Sequence, residues 1–142
     1  MKRIALISLL ACLLAAPGLA QEKKGGHEGH HGAEHGKHKF KVAEVEKFHD
    51  LLAPIWHEQY PAKEWAKIRA QAGELVRRKD AVMKAELGVK TENEAKVGEL
   101  RAKFGASVDR LAGLAKQGPD EELQKAVAEM HEAFENFFDA IR

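Results

Sequence analysis

Residues 120–142 read DEELQKAVAEMHEAFENFFDAIR, and this stretch decides the fold. Leu123, Val127, Met130, Phe134, Phe137 and Ile141 recur at alternating spacings of four and three. That is the a/d seam of a helix packed at a shallow angle against neighbours. Upstream, Gly118-Pro119 closes another helix, whose stripe is Val97, Leu100, Phe104, Val108, Leu111 and Leu114. Thr91-Glu92-Asn93-Glu94 has the pattern of a capping box that opens it. Before that, Trp65, Ile68, Ala72, Leu75, Val82 and Met83 mark a helix with Pro61 near its first turn, running to about Leu87, with Gly88 as its stop. The first helix is predicted over 42–59, through Val45, Phe48, Leu52, Ile55 and Trp56. Pro54 lies inside it and should bend it. No run alternates like a strand. The fold class is therefore all-α, and short loops make it an antiparallel up-down-up-down four-helix bundle over 40–142. Trp56, Trp65, Phe104, Phe134, Phe137 and Phe138 are expected in the core, and Arg77-Arg78-Lys79 on a solvated face.

The bundle is preceded by two segments of other character. Lys2 and Arg3, then an apolar run over 4–16, then Pro17, Gly18, Leu19 and Ala20, read as a signal peptide over 1–20 with Gln21 as the mature N-terminus. The mature chain is expected in the periplasm or secreted, with no membrane partner after cleavage. The apolar run is short for a bilayer span. Residues 21–39 are polar, rich in Gly, and carry His27, His30, His31, His35 and His38, five of the eight histidines. Such a segment should be disordered when metal-free. The single cysteine, Cys12, falls in the signal, so the mature chain offers no disulfide, thiolate site or covalent haem. Without Lys2 and Arg3, 21 basic residues face 22 acidic ones, a balance that does not favour nucleic acid. In the mature chain one serine and one threonine, Ser107 and Thr91, are a poor inventory for nucleophilic catalysis, so a binding protein is expected rather than an enzyme.

Imidazole is the commonest protein metal ligand, and the His-rich segment has no core to serve. It should bind Cu, Zn or Ni weakly at several sites. Inside the bundle, His49, His57 and His131 each lie beside the apolar stripe of their helix, with Glu46 three residues before His49 and Glu135 one turn after His131. His49 and His57 are separated by about 80° and roughly 12 Å on an α-helix, too far to share one ion easily. Counting rises along antiparallel first and last helices puts His131 between them, slightly nearer His49. A His49–His131 site completed by Glu46 or Glu135 would have a mixed N/O ligand set suited to Zn, Cu or Ni. The competing reading is of boundary histidines whose rings pack while their nitrogens meet water or a carboxylate.

The segment Val127-Ala128-Glu129-Met130-His131-Glu132-Ala133-Phe134 resembles the last helix of the cytochrome c′ family, where Cys-x-x-Cys-His precedes an acidic residue and an aromatic. His131 then matches the haem-ligating histidine, while Val127 and Met130 stand at the two cysteine positions. The resemblance implies a haem-less exported bundle, or one holding haem b non-covalently through His131, the lesser expectation because the first helix has no methionine. It also implies a homodimer through the first two helices.

Overall fold

The computed structural model describes residues 40–142. The signal peptide expected over 1–20 and the His-rich segment over 21–39 lie outside the described residues. Among the described residues there are four α-helices and no strands: α1 (Ala43–Pro54), α2 (Trp65–Lys84), α3 (Glu94–Gln117) and α4 (Asp120–Ile141). Acidic Asp120, Glu121 and Glu122 fill the first turn of α4, where the helix dipole favours negative charge. Its buried face comprises the expected six residues together with Ala126 and Phe138.

Cross-helix contacts define the direction of each helix. Between α1 and α2, Arg78 donates to the Lys47 carbonyl, and Gln71 to Gln59 Oε1 at 2.7 Å. Between α2 and α3, Arg69 reaches Leu114, Lys79 reaches Asp109, and Arg101 reaches Val82. Phe104 meets Phe137 and Arg110 meets Glu129 across α3 and α4. Phe40, Phe48 and Trp56 meet Phe138, Phe134 and His131 in turn. In every pair, rising numbers on one element meet falling numbers on the other, so all four neighbouring pairs are antiparallel. The core they enclose is centred on Phe48, Phe104, Phe134 and Phe137, all fully buried.

Several local expectations are corrected. Helix α2 begins at Trp65, not near Pro61, because Pro61 belongs to a turn in which Lys63 adopts φ 55° and Glu64 N bonds Gln59 O at 2.9 Å. At its other end α2 stops at Lys84, before Gly88. Arg101 of α3 donates to the Val82 and Ala85 carbonyls and caps the terminal turn there. Gly88 (φ 61°) instead shapes the connection, where its left-handed backbone would strain any other residue. Thr91 makes no side-chain capping bond. A 3₁₀ turn, Thr91–Asn93, precedes α3 and satisfies the leading amides with backbone carbonyls.

Met83 is 38 % exposed rather than buried, and Lys79, expected in solvent, is only 8 % exposed. Lys79 follows Leu75 by four residues and precedes Val82 by three, so it shares the core face of α2. Its stem lies across α3 at Gly105, where an added Cβ would stand 3.7 Å from Lys79 Cδ. Its ammonium reaches out to Asp109 and Asp80, both at 2.8 Å. Burial alone would lower the Lys79 pKa, but the hydrogen bonds to these two carboxylates outweigh it and hold the pKa above its ordinary value.

Candidate functional site

The three histidines of the bundle lie along the seam between α1 and α4. Pro54 removes one backbone donor and its ring crowds the preceding turn. The chain answers with a π-helical stretch, Ile55–Gln59, in which Tyr60 N bonds Ile55 O at 2.8 Å. A π turn takes one more residue than an α turn, so it rotates the later side chains relative to the α-helical count. Trp56 and His57 are carried on this stretch. Helical arithmetic carried across Pro54 misses this rotation; Pro54 followed by Ile55-Trp56-His57 was the available signal.

The Trp56 indole stacks on the His131 imidazole at 3.9 Å between centroids and 13° between planes. Behind it, Trp56 stacks on Tyr60 at 4.8 Å, and Tyr60 meets Trp65 edge-on at 6.1 Å. Thus Trp56 and Trp65 are half-buried members of an aromatic row rather than fully buried core residues. His131 Nε2 lies 3.9 Å from Glu135 Oε1, one turn on along α4. Burial pushes the His131 pKa below its ordinary value, Glu135 opposes that, and the charges of His57 and His49 add to the lowering.

His49 occupies the neighbouring stretch of the seam. Its ring lies 5.0 Å from Phe40 and 6.1 Å from Phe134. Glu46 is exposed in the first turn of α1. Among the described residues, no group of three His, Cys, Asp or Glu side chains is gathered closely enough to hold a metal ion. The structure therefore brings His131 and Glu135 together and sets His57 and His49 within electrostatic reach of them. His27, His30, His31, His35 and His38 lie outside the described residues.

The Trp56 indole covers one face of the His131 ring and leaves its Nε2, the in-plane atom that would bind a metal, toward Glu135. The interior behind is closed by Phe48, Phe104 and Phe134, whose ring centroids lie 4.7–5.8 Å apart. Val127 and Met130, at the positions of the haem-attachment cysteines, are fully buried in the same core. No protein-family model matches this chain, and no curated protein or solved structure matches it significantly.

Proposed function

We propose that this chain is an exported metal-binding bundle, periplasmic or secreted, of cytochrome c′-like architecture without haem. The His-rich segment over 21–39 collects Cu, Zn or Ni, and the α1–α4 seam supplies a second, smaller ligand set. The observation that carries this reading is the distribution of histidine. Five of eight histidines fall within residues 27–38, and the remaining three all lie on one seam of the bundle. Imidazole and carboxylate together suit borderline divalent ions. His131 is disposed toward its neutral, metal-binding form by burial, and Glu135 stands on the same face. His57 and His49 stand within electrostatic reach of His131, with Glu46 one turn before His49 on α1. The protein acts as a carrier or buffer, not an enzyme, and the resemblance implies that it does so as a homodimer.

A second reading is favoured by the Trp56–His131 stack, which gives His131 a packing role of its own. On that reading the bundle is structural and its histidines line a boundary. Metal and haem content of protein isolated from its own compartment without added metal separates the two, alongside a chain lacking residues 21–39. Retention of a stoichiometric ion by the shortened chain, lost in His131→Ala, supports the seam site. Weak uptake seen only with residues 21–39 present leaves the segment as the metal binder. A chain that takes up no metal in either form sinks the proposal.

A further inference from the structure

We propose that a second copy of this chain docks on the face formed by α3 and α4, around a two-fold axis that runs along the groove between them. The inference goes beyond the metal-binding reading and does not depend on it. Two hollows of about 310 Å³ each lie on this face. Leu100 and Asn136 line both, so the two form one continuous groove. Its apolar lining is Leu100 of α3 with Ala133 and Ala140 of α4, all half-buried. Its charged lining is divided by helix. Lys96 and Lys103 stand on the α3 wall, and Glu129, Glu132 and Asp139 on the α4 wall.

Because α3 and α4 are antiparallel, each height along the groove has a basic wall opposite an acidic one, Lys103 with Glu132 and Lys96 with Asp139. Glu129 is held by Arg110, and Asp139 shares Arg142 at 3.3 Å. Lys96, Lys103 and Glu132 are exposed and, among the described residues, form no hydrogen bond or ion pair. A two-fold axis parallel to the helices keeps the height of every residue and exchanges the walls. It sets α3 of one copy over α4 of the other. Lys103 then faces Glu132 of the second copy, Lys96 faces its Asp139, and symmetry makes each contact twice. Leu100 of each copy lies over Ala133 and Ala140 of the other, whose small side chains admit it. The two helices have 24 and 22 residues and so extend about 33 Å. Side by side they present a face about 20 Å wide, close in size to the roughly 800 Å² per copy that a standard stable interface buries. The groove between α1 and α2 is less suited. Ala81 is the one apolar side chain among the described residues that line it, and its Arg77 and Arg78 are already held by Glu74. The contact therefore differs from the one through the first two helices that the cytochrome c′ resemblance implies.

Sedimentation velocity at concentrations up to about 100 μM tests this on the chain from Gln21 onward. EDTA is present throughout, so that metal bridging through residues 21–39 contributes nothing. A reversible dimer is expected. Lys103→Glu and Glu132→Lys each set like charges against each other across the axis, and each should weaken the dimer by at least about tenfold at low salt. The exchange variant carrying both substitutions should return to within about threefold of the parent, because it restores opposite charges with the walls reversed. Both residues are exposed, so the urea midpoints of the single variants should match that of the parent and show that the fold is unchanged. A chain that stays monomeric throughout overturns the inference. So does a dimer that neither single reversal weakens, or an exchange variant as weak as the single ones. A dimer that forms only when Zn(II) replaces EDTA is metal-bridged; the inference then fails and the metal-binding reading stands.

Discussion

Along the α1–α4 seam the helices meet through rings, whereas along α2–α3 they meet through long cations that reach across to backbone carbonyls and carboxylates. Phe48, His49 and Trp56 face Phe134 and His131 on the first seam. On the second, Arg69 bonds Leu114 O at 2.9 Å, Gly118 O at 2.8 Å and Asp120 at 2.6 Å, closing the end of α3 and the turn into α4. Lys79 and Arg101 continue that pattern toward the other end of the bundle. Rings stabilise through buried area but set direction loosely. Cations that satisfy orphan helix carbonyls stabilise less and specify register more. The difference teaches where polar chemistry has been assigned to holding the fold. On α2–α3 Arg69, Lys79 and Arg101 donate to partners within the bundle, while on α1–α4 the half-buried His49 and His131 stand beside aromatic rings.

The largest expected effect is on the ring seam. Phe134 is fully buried against Phe48, Phe104 and Phe138. Phe134→Ala should cost about 3–5 kcal/mol in urea unfolding, enough to threaten the fold of a small domain. Arg69→Ala should cost about 1–3 kcal/mol, because it strips hydrogen bonds from three carbonyls and a carboxylate at one helix end. Added salt should change that loss little, since most of its acceptors are neutral.

The two seams should also separate by pH. The folded His131 pKa lies below its ordinary 6.5, so the unfolded chain binds more protons in the window just below 6.5. Stability should therefore fall as pH drops through that window and level off below the folded value. His131→Gln should flatten this acid limb in a series of urea midpoints. Lys79 has the opposite sign. Its folded pKa lies above 10.5, so its stabilisation is complete below 10.5 and is lost as pH rises through the folded value. Lys79→Met should remove that alkaline limb and leave the acid limb in place. The smallest effect is expected at the half-exposed Arg110–Glu129 pair across α3–α4, where Glu129→Gln should leave the urea midpoint indistinguishable from that of the parent.

Much of the bundle was legible in the residues because amphipathic periodicity reports burial directly. The α4 stripe from Leu123 to Ile141 is buried as its spacing predicts. Lys79 was misread because composition overrode position. A lysine within a basic triplet looks solvated, yet its place between Leu75 and Val82 is on the core face. The ends of α2 and the opening of α3 were misplaced because their capping partners come from distant chain or from backbone rather than from the local motif, as Arg101 does at Val82 and Ala85. At the site, Glu135 beside His131 followed from i,i+4 geometry, since both lie on one helix. Trp56 over His131 did not, because it depends on how two helices approach each other.

By itself the sequence determined the helical class, the number of helices, the apolar face of each and the concentration of imidazole in two places. These are properties of residue type and local period, which a single chain segment carries within itself. Only the tertiary structure decided that a π turn after Pro54 lays Trp56 on His131. It alone decided that the Phe40 ring packs against His49. Each of these depends on rotation and contact between elements distant in sequence, where a shift of one residue in one turn changes which side chains meet.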